Sequence, residues 1–337
     1  MKVAAIQSEP AWFNLEAGVT KAISIIQEAA SNGAQLIGFP EAYIPGYPMR
    51  LYAEPWNPLF FKDYLKACLD VKSQEYQRIL RAVRDAGIWV VLGFVERDGE
   101  SMYAAQSIIS STGKVVLHRR KLKATSHERT IWGDAPADSI KTATIGPEGA
   151  VIGCLNCWEH LQPLLRFHHY SQGVQIHIAS WPFGFDAESV AANGAPSQFS
   201  SDFQVTATRF AAMEGPMFAI SSTQMIKPNN AGICGIEGTP FYPIKGGGFA
   251  AIYGPDGRQL TPPVDPGEEA IIYADIDLDD LHMAKLSVDP VGHYSRPDLL
   301  ALHLPTPAGN PNPLVKESGK KNEEYTLLAR VPQLSES

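Results

Sequence analysis

A chain of 337 residues, 45% hydrophobic and 19% charged, has the composition of a globular protein and the length to bury one large core or two ordinary ones. A formal net charge of −8 argues against nucleic acid or an anionic membrane as the main partner, and no apolar run approaches the length of a membrane span. Four cysteines in so long a chain make no disulfide framework, and the first residues lack the apolar stretch of a signal peptide, so a reducing, cytoplasmic setting is expected.

Residues 2–7 read as a strand. Leu15, Val19, Ala22, Ile23, Ile26 and Ala30 fall on one face of a helix over 15–31, with Asn14 as its N-cap and Gly33 as its stop. Leu36-Ile37-Gly38-Phe39 reads as a short buried strand ended by Pro40, which puts Glu41 at its C-terminal end. A solvated loop carboxylate is the commoner fate of a glutamate. Set against Phe39, Pro40, Ala42 and Tyr43, however, the Glu41 carboxyl would be raised toward the range of a general base. The segment 43–61 is too apolar for a linker and too rich in proline for a helix, so it reads as an ordered loop lining a pocket or an interface. Ser73 caps a helix carrying Tyr76, Ile79, Leu80 and Val83 that ends before Gly87; strands follow over 88–95 and 106–111, and the turn Ser111-Thr112-Gly113-Lys114 leads into a hairpin partner over 115–118.

The run His118-Arg119-Arg120-Lys121-Leu122-Lys123 has the composition of a solvated face or a weak nucleic-acid patch, but the acidic whole and the strand before it argue against the patch. Glu128 follows Lys121 by seven residues, near enough for both to reach one site from a loop. A short strand over 151–153 then hands over at Cys157 to a helix predicted over 161–173. Burial in the core is the ordinary fate of an isolated cysteine; at a helix start, backbone N–H groups would instead lower the thiol pKa. Cys154 belongs to the strand pattern and reads as core, with no second cysteine pair to complete a zinc ribbon. A strand over 175–179 closes on Ser180-Trp181-Pro182. A helix over 202–214 is expected to turn Phe203, Ala207, Phe210 and Ala211 inward, and strands follow over 218–222, 249–253 and 270–276. His168-His169 reads as helix surface, and no histidine spacing calls for a metal. Lys245-Gly246-Gly247-Gly248 lacks the spacing of a phosphate loop. One domain is expected over 1–305, followed over 306–337 by a polar, loosely held tail.

Three short strands thus end at Glu41, Lys121 and Cys157. A thiol that attacks an electrophilic carbon needs a base for its proton and a fixed cation for the charge that develops, and Glu and Lys supply both without histidine. Phe39-Pro40-Glu41, Arg120-Lys121-Leu122 and Cys157-Trp158-Glu159, in this order and at these separations, resemble the nitrilase branch of the carbon–nitrogen hydrolase superfamily. The resemblance extends from residue 2 to about 300 and takes in His127-Glu128-Arg129, Trp132-Gly133 and the run from Asp289 to Asp298. It departs at Leu122-Lys123-Ala124-Thr125, where relatives usually have proline before the threonine.

The resemblance implies an α/β fold, a four-layer α-β-β-α sandwich with two mixed sheets. It implies a catalytic set at Glu41, Lys121 and Cys157 supported by Glu128, no cofactor and no metal. The implied partners are a small-molecule nitrile and further copies of the chain, as dimers that stack into spiral filaments. The implied reaction is hydrolysis of an organic nitrile to the acid and ammonia through a thioimidate and a thioester. Cys157-Trp158-Glu159-His160 favours nitrilases and cyanide-converting relatives over amidases. The rivals are a cyanide hydratase or dihydratase, an amidase, a Cys–His enzyme with His160 as base, and, in a different class, a non-catalytic assembly or sensor protein on the same fold. Tyr43, Trp56, Trp132, His160 and Trp181 are the candidate substrate contacts, each an aromatic group equally at home in a core.

Overall fold

Side-chain caps set the helix starts. Asn14 accepts from Ala17 N ahead of α1 (Leu15–Ser31), and Ser73 accepts from Tyr76 N ahead of α4 (Gln74–Ala86), which stops at Gly87 in the left-handed conformation. Between them lie the short α2 (Arg50–Ala53) and α3 (Pro58–Ala67). The segment 43–61 is therefore partly helical. Proline at the first helical position has no N–H to lose, so Pro58 starts a helix instead of preventing one. The later helices are α5 (Pro163–Ser171), α6 (Ala187–Ala192), α7 (Ser201–Glu214), α8 (Ala231–Cys234) and α9 (Asp280–Ser287). The computed structural model describes residues 1–302 apart from 137, 138, 147, 148, 238, 240, 241 and 243, together with residues 331–333.

The described strands are β1 (Lys2–Ser8), β2 (Leu36–Gly38), β3 (Trp89–Asp98), β4 (Ser101–Ile109), β5 (Val115–Arg120), β6 (Ala143–Ile145), β7 (Ala150–Asn156), β8 (Ile176–Trp181), β9 (Phe218–Gln224), β10 (Ala251–Tyr253) and β11 (Ala270–Asp275). Hydrogen bonds link them in the order β5-β4-β3-β2-β1-β9-β8-β7-β6, with β10 beside β9 and β11 beside β1. The fold is α/β. Where two sheets are expected, one path runs through all the strands, but its two halves meet only where Gln7 and Ser8 pair with Thr223 and Gln224. Following the pairings outward from β1, the strands β2, β5 and β7 all run in the same sense. Their C-terminal ends therefore point the same way, and these are the ends that carry Glu41, Lys121 and Cys157.

Alternation along the strands divides the core. Ala4, Ile6, Ile37, Val90 and Leu92 pack against Val19, Ile26, Ile79 and Val83 of α1 and α4. The opposite-facing Val3, Ala5, Leu36, Val91, Ile108 and Leu117 share a second apolar cluster with Ile152, Cys154, Ile176, Ile178, Phe218 and Ile220 from the other half. Both faces of β1 are thus covered, which is why its sequence is an unbroken apolar run from Val3 to Ile6. On α7 the inward residues are Gln204, Thr208, Ala211 and Ala212, and Phe210 is exposed. The face is rotated from the one predicted because polar contacts hold it. Of the tail expected over 306–337, all but 331–333 lies outside the described residues. Those three are held: Val331 is buried in the first cluster, and the Gln333 amide bonds both the N–H and the carbonyl of Val115 on β5.

Gly93 on β3 lies directly beneath the turn that follows β2. A Cβ at Gly93 would stand 2.0 Å from the carbonyl oxygen of Pro40, and Gly93 O itself accepts from Tyr43 N. Gly93→Ala is expected to cost about 1–3 kcal/mol and to displace Glu41. Urea midpoints together with turnover will check this, and wild-type values for both would count against the close approach.

Candidate active site

The turn after β2 places Glu41 with its side chain fully buried, and Ala42 next to it takes a left-handed φ of 50°. Glu41 Oε1 accepts from Lys121 Nζ at 2.8 Å, and its Oε2 has no hydrogen-bond partner. Burial raises the Glu41 carboxyl to about 7, against the opposing pull of the Lys121 charge. Lys121 continues β5 by one residue, its N–H donating to Ala104 O. Its ammonium also meets Glu128, at 2.8 and 3.1 Å. Burial alone would lower the lysine, but Glu128 and Glu41 outweigh it and hold Lys121 well above its usual value. Glu128 sits in a 3-10 turn (Ser126–Thr130) and also accepts from Thr125 N at 2.7 Å and from the Tyr47 hydroxyl at 2.8 Å.

Cys157 opens a 3-10 turn (Cys157–Leu161), with a left-handed φ of 47°. The expected α-helix over 161–173 begins later, at Pro163. The thiol is not lowered as a helix start would have it. Burial pushes it well above its usual value and the charge on Glu41 adds to this, while Lys121 and the Trp158 N–H pull the other way. One short N–H-bearing turn is a weaker influence than the loss of water around a sulfur beside two carboxylates. The structure thus brings Glu41, Lys121, Glu128 and Cys157 into one electrostatic neighbourhood, with the cysteine protonated at rest.

A further buried carboxylate, to which the sequence alone gives no role, holds this cluster in register. Glu159 makes a two-pronged pair with Arg119 at 2.6 and 2.9 Å. The same carboxylate accepts from Leu122 N at 2.9 Å and from Asn156 N at 2.8 Å. One side chain therefore grips the residue after Lys121 and the residue before Cys157. Glu159 closes the motif Cys157-Trp158-Glu159 and Arg119 immediately precedes Arg120-Lys121-Leu122, and their opposite charges near two strand ends are the available signal. Most of the basic run is buried as well: Arg120 and His118 both bond Glu96, and Arg120 also reaches Asp98, whereas Lys123 is exposed and pairs with Asp134. Arg119, Arg120 and Lys121 form no solvated face, because each is buried against carboxylates within the fold.

Beside Cys157, Glu128 and Trp158 lies a cavity walled by Tyr47, Met49, Tyr52, Pro182, Phe183, Phe185 and Phe199, with Thr125 and Gln204. The five aromatic candidates are not among these residues. Tyr43 is fully buried behind the site, hydrogen-bonded to Ser8. Trp56 is 81% exposed, edge-on to Phe61. Trp132 packs edge-on against Tyr47, with the Lys121 ammonium 6.0 Å over its ring. His160 points its Nδ1 at the Cys157 carbonyl, 2.6 Å away, and its Nε2 at His177; Trp181 stacks on the same imidazole and donates to Thr208. Burial holds His160 down at about 4. His169, expected on a helix surface, is buried and bonded to His177, in a space that exists because Gly153 has no side chain. Among the described residues, no group of three His, Cys, Asp or Glu side chains is arranged to hold a metal ion.

Residues 2–285 match the family model for carbon-nitrogen hydrolase. The chain belongs to the carbon–nitrogen hydrolase family. It is 46% identical over 304 residues to a nitrilase of Talaromyces marneffei, covering 90% of this chain and 94% of that one. It is 44% identical over 300 residues to a cyanide hydratase of Armillaria gallica, covering 88% and 83%. A solved carbon-nitrogen hydrolase from Helicobacter pylori has the same fold, with a TM-score of 0.68 at 16% identity over 88% of this chain and 96% of that one. The protein is accordingly a hydrolase acting on carbon–nitrogen bonds, and no described helix is long and apolar enough to cross a membrane.

In this hydrolase the Arg119–Glu159 pair offers a direct test of register. Glu159→Gln leaves Arg119 buried without its counter-charge and is expected to cost about 3–5 kcal/mol of stability and about 100-fold in kcat/KM. Adding Arg119→Met removes the stranded charge and is expected to recover stability without recovering rate. Denaturant midpoints and kinetics on the single and double variants check this; equal recovery of both would show that the pair acts through stability alone.

Proposed function

We propose that this hydrolase converts an organic nitrile to its carboxylic acid and ammonia, with Cys157 as nucleophile, Glu41 as general base, Lys121 as the fixed cation and Glu128 as its support. The observation that carries the proposal is the buried Glu41–Lys121–Glu128 cluster, whose field falls on the Cys157 thiol beside an open cavity. Glu41 Oε2, without a partner, is the acceptor for the thiol proton. As sulfur bonds to the nitrile carbon, one C–N π pair moves to nitrogen, which takes that proton and gives a thioimidate. An ammonium has three N–H groups, and with one on each carboxylate the third is available to the substrate nitrogen. Water then adds with Glu41 as base, the C–N bond breaks, and ammonia leaves a thioester. A second water releases the acid and restores the thiol.

Aromatic walls suit the apolar group of an organic nitrile. The 44% likeness to a cyanide hydratase keeps cyanide as the second reading. Ammonia and amide release from a panel of nitriles, amides and cyanide separates nitrilase, amidase and cyanide hydratase. Turnover of none of them, with retained binding, would favour the non-catalytic reading. His160 is not positioned as the base, since both its ring nitrogens are engaged away from the thiol.

Further readings belong to the same proposal. The joined sheet is read as two halves laid face to face in an α-β-β-α sandwich over a domain spanning 1–305; the apolar cluster shared by both halves supports this. Homo-oligomers, as dimers stacked into spirals, are supported by exposed Leu164, Phe210 and Met213 on α5 and α7. A cytoplasmic setting is supported by four cysteines that are all free thiols.

Cys157→Ala is expected to lower turnover about 10⁴-fold or more with the fold retained by circular dichroism; wild-type turnover would refute the nucleophile. Glu41 works ionised, and burial raises it to about 7. The rate kcat/KM is therefore expected to rise with pH through an inflection near 7 and to fall about tenfold per unit below it. A profile flat from pH 5 to 8 would remove Glu41 from the role of base.

A further inference from the structure

The cavity wall contains one side chain with a buried polar atom that no neighbour satisfies. Gln204 lies one turn into α7, after the N-cap Ser200, and is only 5% exposed. It lines the cavity that holds Cys157, among Phe183, Phe185, Phe199 and Trp158, and its Oε1 is buried with no hydrogen-bond partner. The other polar groups of the wall satisfy one another. Tyr47 donates to Glu128, the Tyr47 and Tyr52 hydroxyls stand 3.2 Å apart, and Glu128 also takes the Thr125 N–H and the Lys121 ammonium. Thr208, the next polar residue on the inward face of α7, accepts from Trp181 and donates to the Gln204 carbonyl.

A buried amide oxygen without a partner is unfavourable, and a ligand that supplies one gains that difference. We infer that Gln204 is a specificity-determining residue: it selects nitriles whose organic group carries a hydroxyl, foremost hydroxylated arylaliphatic nitriles. The inference rests on nitrile hydrolysis as the reaction. Aromatic walls accept an aryl ring through edge and face contacts. A hydroxyl both donates and accepts, so it fits the amide whichever way its oxygen and nitrogen are turned. A purely apolar ring would bind the same walls and leave the amide unpaired. Sites built around a buried polar group reject ligands that lack its complement far more strongly than apolar pockets reject a missing methylene.

The experiment compares kcat/KM for phenylacetonitrile with the values for its ortho-, meta- and para-hydroxy isomers, in the wild-type protein and in Gln204→Met, with Gln204→Leu as a second apolar variant. At least one hydroxylated isomer is expected to be preferred about tenfold or more by the wild type, and the preference is expected to fall to within about twofold of parity in the variants. Each result is a ratio of two substrates on one preparation, so partial loss of folded protein cancels. Turnover of phenylacetonitrile with no hydroxyl preference, or a preference that survives both substitutions, overturns the role of Gln204 and leaves nitrile hydrolysis standing. Failure to turn over any nitrile overturns both.

Discussion

One carboxylate shared between two strand ends is the constraint on which the site depends. The two halves of the sheet pair backbone to backbone at only two positions, at the ends of β1 and β9, yet Lys121 is delivered by one half and Cys157 by the other. Packing of the apolar cluster between the halves fixes their separation but leaves small sliding motions weakly opposed, because dispersion contacts have little directionality. Buried hydrogen bonds supply the direction: Ser180 and Ser222 donate to the Phe39 and Gly38 carbonyls across the halves, and Glu159 takes the Leu122 and Asn156 N–H groups on its two oxygens. An isolated buried carboxylate would cost too much to keep ionised, so Arg119 accompanies it and is itself completed by Gln106 and the Ser139 carbonyl. The charge pair is best understood as geometry: it sets where an ammonium and a sulfur stand relative to each other.

Burial then sets the proton inventory. Glu41, Lys121 and Cys157 are each nearly inaccessible, and removal from water acts on all three toward their neutral forms. Lys121 escapes because two carboxylates face it, Glu41 is poised near neutrality, and Cys157 stays a thiol. A resting thiolate would need a second cation, which the cluster does not provide. The arrangement therefore suits proton removal coupled to attack, with the base held by the same lysine that later faces the charge on nitrogen.

What the sequence made legible follows from which forces are local. Helix starts at Asn14 and Ser73 and the stop at Gly87 were readable because caps act over three or four residues. The burial of Glu41 was readable from its apolar neighbours. The state of the Cys157 thiol is not legible because its surroundings come from other segments, those of Glu41, Lys121 and Glu128 among them, and desolvation exceeds any helix-end effect. The inward face of α7 was misjudged for the same reason: Thr208 turns inward to meet the Trp181 indole, which no helical periodicity reveals. His169 reads as helix surface and the basic run has the composition of a solvated face, while their partners His177, Glu96 and Glu159 lie on other strands or turns. The five aromatic candidates were chosen by residue type, yet the cavity is walled by different rings, since a large apolar side chain carries no mark of whether it faces a core or a ligand.

Backbone conformation carries the argument one step further. Ala42, Ser126 and Cys157 all hold left-handed φ angles that side chains with a Cβ adopt at a cost, and among the described non-glycine residues only Phe13 joins them. One follows Glu41, one opens the turn that presents Glu128, and one is the cysteine itself. Such strain persists only where surrounding contacts over-determine the chain. Here those contacts are identifiable: Gly93 beneath the Glu41 turn, the Thr125 N–H on Glu128, and the His160 imidazole facing the Cys157 carbonyl. His160 Nδ1 must carry the hydrogen to donate to that carbonyl, which leaves Nε2 to accept from His177, so the buried histidines fix one another's tautomers and brace the strained turn. Their low basicity keeps this brace neutral, adding no charge that would compete with Lys121 for control of the sulfur.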